Sequence, residues 1–207
     1  TTSSTTSSTS TTRTTSTEPP VVIASAVAET HRDVAYGTHP RHRPDLYLPE
    51  GPGPHPVVVW AHGGFWTQGN KAQIPDPLVK FLAEAGYAVA STNYRLAGAP
   101  PLFAPPLQYP TNPHPAQVHD YKSAVRFLQD HASQWDLNPA AVFASGYSAG
   151  GHIALLSGVS SRGSASGGED LGIHGGEPDI AGVVGFGAPA DLGIAMGTAG
   201  PIGEVAI

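Results

Sequence analysis

The sequence predicts an α/β fold in which a mostly parallel sheet lies between layers of helix. Uninterrupted apolar runs rich in β-formers recur at residues 57–61, 87–92 and 141–144, the pattern of strands covered on both faces. Segments of helical periodicity separate them, and such alternation of strand and helix favours parallel pairing. The third run breaks abruptly at Gly146-Tyr147-Ser148-Ala149-Gly150, a tight glycine-bounded turn from strand into helix.

Composition bounds the rest. The 207 residues suffice for one domain with a real core. Sixteen acidic against ten basic residues, a net charge of −6, give no reason to expect a nucleic-acid partner. The absence of cysteine excludes disulfides, thiolate metal sites and a cysteine nucleophile. No apolar run approaches the roughly 18 residues of a transmembrane segment.

Taken in order, residues 1–20 form a Thr/Ser-rich tract closed by Glu18-Pro19-Pro20. It has too little apolar side chain to offset the entropy of ordering and is read as a disordered tether. It fits a surface or interdomain spacer and equally an uninformative terminus, so localisation stays open. The folded domain is expected over 21–207. Residues 31–37 and 44–49 alternate apolar and polar as half-buried strands do. Residues 57–61 follow as a buried strand and 77–85 as a helix with Gly86 as its stop. Next come a strand at 87–92 and a proline-rich loop at 97–115. A helix from Ala116 repeats Val118, Tyr121, Val125 and Leu128 at spacings of three and four. After the turn at 146–150 come a helix, a Gly/Ser-rich loop at 160–178 and a strand at 180–186.

Two loops carry chemistry. In Gly-x-Ser-x-Gly between strand and helix, the glycines permit a sharp bend that leaves Ser148 projecting from the sheet edge as a nucleophile. The helix that follows presents free N–H groups to negative charge developing beside it. The second loop, His62-Gly63-Gly64-Phe65-Trp66, follows a buried strand. Its two glycines can turn N–H groups toward a ligand without a Cβ in the way. Gly63, Gly64 and the Ala149 N–H would then form an oxyanion hole, whose individual donors are typically worth about 100- to 1000-fold in rate. His62 is read as a brace for this loop rather than a general base. Phe65 and Trp66 fit an acyl pocket or plain core packing equally well.

The order of His-Gly-Gly-Phe-Trp, Asn93-Tyr94-Arg95-Leu96 and Gly-Tyr-Ser-Ala-Gly-Gly-His resembles the α/β-hydrolase fold. More narrowly, it resembles the His-Gly-Gly carboxylesterases related to hormone-sensitive lipase and to feruloyl and acetylxylan esterases. The resemblance implies a serine carboxylic-ester hydrolase acting through an acyl-enzyme on Ser148, with a small-molecule ester substrate and no metal or organic cofactor. Kynurenine formamidases share similar motifs, so amide cleavage is an alternative.

One departure matters. The triad order in this fold is Ser, then Asp or Glu, then His. Beyond Ser148 the only histidines are His152 and His174. His152 lies one turn along the elbow helix, and His174 precedes the strand that should come before the acid. Asp191 is read as a turn or helix-capping residue. Acid and base are therefore expected to be absent from this chain, with the fold's C-terminal strands missing. The chain alone is expected to show near-background esterase activity and to aggregate through the edge at 180–186. The competing class is a catalytically dead, hydrolase-like binding module.

Overall fold

The computed structural model describes residues 26–98, 112, 114–160 and 177–190. The expected tether, most of the proline-rich loop, most of the Gly/Ser-rich loop, His174 and Asp191 lie outside the described residues. The strands are β1 (Val27–His31), β2 (Asp45–Pro49), β3 (His55–Ala61), β4 (Ala88–Thr92), β5 (Leu137–Tyr147) and β6 (Gly182–Phe186). The helices are α1 (Asp76–Glu84), α2 (Ala116–Asp130) and α3 (Ala149–Val159). They build one six-stranded sheet ordered β1-β2-β4-β3-β5-β6. β2 runs antiparallel to β1 and β4, while β3, β4, β5 and β6 are mutually parallel.

β3 forms because its run of valines suits a pleated surface buried on both sides. Its side chains divide between two cores. Val57, Val59 and Ala61 join Tyr121, Val125 and Ile153 on the α2/α3 side. Trp60 joins Ile74, Val79 and Val89 on the other, under α1. Each fully buried valine contributes about 1.5–3 kcal/mol. α1 begins at a Pro75 cap with Asp76 in its first turn, where negative charge complements the helix dipole. It ends in a Schellman pattern: Gly86 N–H donates to Ala83 O and Tyr87 N–H to Leu82 O. Gly86 takes φ +82°, the left-handed geometry this stop needs.

One expectation needs correction. The strand expected at 31–37 is instead β1 at Val27–His31. Asp33, at φ 54°, breaks the extended run. Residues 34–36 then fold back, with Val34 N–H donating to Pro44 O and Tyr36 N–H to His42 O. The alternation there reflects Tyr36 burying itself in a loop against His42, ring centroids 4.8 Å apart. The helix expected from Ala116 is α2, and its burial extends beyond the apolar stripe. Every residue from Gln117 to Leu128 is buried. Two of its buried charged groups have partners on other segments: Asp120 takes Arg95 and His42, while Lys122 Nζ donates to Ser160 O and Glu177.

Candidate active site

The parallel register brings the carboxyl ends of β3, β5 and β6 to one edge of the sheet, where Ala61 pairs with Gly146 and Tyr147 with Phe186. Ligands of open α/β sheets bind at this edge. Ser148 stands there, between β5 and α3, at φ 52° and ψ −118°. A side chain in this conformation costs on the order of 1–3 kcal/mol and persists only where the surroundings impose it. They do: Ser148 N–H donates to Phe186 O at 2.8 Å, and Ser148 O accepts from His152 N–H at 3.0 Å.

Glycine is required around the turn by close approach. A Cβ on Gly150 would lie 2.1 Å from Ala61 O and 2.4 Å from His62 O. The start of α3 thus packs directly on the backbone entering the His62-Gly63-Gly64 loop. A Cβ on Gly63 would come within 3.4 Å of the Ser148 Cβ, so this loop passes beside the serine. Gly64, at φ +117°, turns tightly, its carbonyl accepting from Thr67 and Gln68 N–H. Ala149 N–H is the first of α3, among the amides that have no partner within a helix.

His62 is almost fully buried, and Tyr94 stacks on it with centroids 4.3 Å apart. Tyr94 OH donates to His62 O at 2.9 Å. His62 Nδ1 lies 2.7 Å from Gly63 O, and Arg41 Nη2 lies 3.0 Å from His62 Nε2. Burial, with the Arg41 charge adding to it, holds the imidazole down at about 4, so it is neutral. Arg41 also donates to Tyr94 O and Gly69 O. Sequence reasoning anticipated a bracing His62 and missed Arg41. Its only signal was a basic run between prolines, Pro40-Arg41-His42-Arg43-Pro44.

Other residues fall outside these contacts. His152 lies along α3, its ring edge-on to Trp66 at 5.3 Å, and burial keeps its affinity for a proton low. Among the described residues no histidine or carboxylate hydrogen-bonds to the Ser148 hydroxyl. Phe65 is exposed, while Trp66 packs against the larger core. An open pocket of about 670 Å³ adjoins the loop, lined by Trp60, Pro75, Leu78, Tyr147 and Phe186 beside Gly63 and Gly64. A larger groove of about 880 Å³ lies at the opposite end of the strands, between β1 and residues 133–136. It is remote from Ser148 and plays no part in this site.

A family model described as BD-FAE matches residues 44–200. The chain belongs to the BD-FAE family. The match spans β2 to β6 and includes both loops. This BD-FAE member is 34% identical over 131 residues to the probable carboxylic ester hydrolase LipM of Mycobacterium tuberculosis, covering 60% of this chain and 27% of that protein. It is 35% identical over 124 residues to the probable isoprenylcysteine alpha-carbonyl methylesterase ICMEL1 of Arabidopsis thaliana, covering 59% and 23%. The chain thus spans about a quarter of the length of these curated relatives. A solved structure, the truncated form of a carbohydrate esterase from gut microbiota, superposes with a TM-score of 0.64 at 25% identity. That superposition covers 81% of this chain and 59% of the other. Together with the mostly parallel sheet and its flanking helices, it makes the fold of this BD-FAE member that of the α/β-hydrolases.

Proposed function

We propose that the protein carrying this chain is a serine carboxylic-ester hydrolase that works through an acyl-enzyme on Ser148. The N–H groups of Gly63, Gly64 and Ala149 would receive the oxyanion. The observation behind the reading is the imposed backbone of Ser148, which sets the serine at the start of α3 with Gly63 alongside. Such geometry supports acyl transfer because donors fixed in advance need no reorganisation as the carbonyl oxygen gains charge. The positive end of the α3 dipole adds to them.

In this reading Ser148 Oγ bonds to the ester carbonyl carbon and the bond from that carbon to the alcohol oxygen breaks. The serine proton leaves through a general base and reaches the departing alkoxide. Water then repeats the sequence on the acyl-enzyme and releases the acid. The described residues assign neither the base nor the acid. The scheme balances without a metal or organic cofactor. The apolar pocket beside Gly63 and Gly64 suits a small, uncharged or aromatic ester, and the relatives' names point to the same bond type.

Ser148→Ala in the protein that carries this chain should abolish both p-nitrophenyl acetate hydrolysis and covalent labelling by a fluorophosphonate. A variant that still labels and turns over would refute the assignment. Faster cleavage of N-formylkynurenine than of the ester would move the reading to amide hydrolysis. No labelling of the unsubstituted protein would leave a hydrolase-like binding module.

A further inference from the structure

Two peptide planes decide where the glycine N–H groups of this loop point. A peptide unit is planar, and in its trans form the C=O of one residue and the N–H of the next point to opposite sides. Whatever holds His62 O therefore aims Gly63 N–H, and whatever holds Gly63 O aims Gly64 N–H. Tyr94 OH holds the first carbonyl at 2.9 Å. The second, Gly63 O, lies 2.7 Å from His62 Nδ1. That contact is a hydrogen bond only when Nδ1 carries the proton. In the other neutral tautomer, two lone pairs would face each other across 2.7 Å.

The choice between tautomers is made on the far side of the ring. Arginine has donors only and keeps its charge. Its Nη2 lies 3.0 Å from His62 Nε2 and 2.8 Å from Gly69 O, with Asn93 Oδ1 farther away at 3.5 Å, so its two N–H bonds have His62 and Gly69 as their nearer acceptors. An Nε2–H tautomer would set donor against donor in a site that is almost closed to water. Gly69 makes room for the arrangement: at φ +99°, a Cβ there would lie 2.6 Å from His62 Nδ1 and 2.5 Å from Gly63 O.

We infer that Arg41 is a positioning residue for the oxyanion hole, fixing His62 as the Nδ1–H tautomer and through Gly63 O setting the direction of Gly64 N–H. The inference rests on the proposed role of Gly64 as an oxyanion donor, but the tautomer is measurable without catalysis. The linkage runs from the loop before β2, through the imidazole, to a backbone amide that Arg41 does not touch.

The test uses the protein that carries this chain. Two-dimensional ¹⁵N–¹H spectra read the His62 tautomer and the Gly64 amide in wild type and in Arg41→Gln. The expected result is Nδ1–H in the wild type, with tautomer exchange and a displaced Gly64 amide in the variant. Turnover of p-nitrophenyl acetate should fall on the order of tenfold with KM unchanged, less than outright loss of a donor. His62→Asn supplies a control, because its side-chain amide can donate to Gly63 O without help from Arg41. In that background Arg41→Gln should add little, whereas a merely structural arginine would cost the same in both. An Nε2–H tautomer in the wild type, an unchanged tautomer in Arg41→Gln, or additive losses would overturn the inference. If Arg41→Gln does not fold, the wild-type tautomer and Arg41→Lys, which keeps a donor toward Nε2, still decide it. If Ser148 proves unreactive, the esterase reading falls and the spectra still decide the tautomer.

Discussion

His62 is a buried imidazole whose protonation the fold opposes. An unfolded histidine titrates near 6.5, whereas His62 in the fold is held at about 4. Between these values the unfolded chain binds a proton that the folded chain refuses, so stability is full above about 6.5. It declines as the pH falls toward 4, by about 3 kcal/mol for this group. Burial also holds His39, His114 and His152 below their ordinary range. The wild-type slope is therefore a sum, and the difference between wild type and His62→Asn isolates one part of it. Urea denaturation at pH 7 and pH 4.5 should show a smaller loss in the variant. Equal losses would mean that His62 is protonated or solvated in the fold.

At the scale of elements, β3, its following loop and the start of α3 meet backbone to backbone. Gly150→Ala places its methyl 2.1 Å from Ala61 O, and neither partner can yield without moving α3 or the end of β3. A cost of about 1–3 kcal/mol is expected from overpacking alone, together with loss of fluorophosphonate labelling as Ser148 shifts. Gly86→Ala makes the contrast. Nothing lies within 4 Å of its added Cβ, so only left-handed strain of about 1–2 kcal/mol opposes it. Gly86 is at the far end of α1, and labelling should survive there. Denaturation midpoints and labelling rates compared side by side check both. Equal retention of labelling would show that the tight α3–β3 contact does not hold the serine.

For the whole molecule, Asp120 is the tie between segments distant in sequence. It is fully buried on α2 and accepts Arg95 N–H, Nε and Nη2 from beyond β4. His42 Nε2, from the loop before β2, lies 3.1 Å away. Burial pushes its carboxyl up, but the hydrogen bonds from His42 and Arg95 outweigh this and hold it below the ordinary range. Its stabilising contribution is thus complete above the unfolded value near 3.9 and lost as the pH falls through the folded one. Asp120→Ala leaves the Arg95 guanidinium facing an empty site, for which about 3–5 kcal/mol is expected. Equilibrium denaturation at pH 7 measures it. A cost under about 1 kcal/mol would show that the three segments are held by apolar packing alone.

Much of this was legible in the chain itself. The valine run of β3, the Gly86 stop, the α2 periodicity and the two glycine loops are local signals, written in residues a few positions apart. They led to a mostly parallel α/β sheet, and from the two loops to Ser148, Gly63, Gly64 and Ala149 as the candidate site. The tertiary structure alone decided what rests on contacts between remote segments. It placed β1 before rather than across Asp33, because a turn closed by Pro44 and His42 outcompetes extension. It buried the polar face of α2, because Asp120 and Lys122 find partners 25 and 55 residues away. It also placed Arg41 against His62, 21 residues apart, since a hydrogen bond that selects a tautomer has no spacing or periodicity in the sequence.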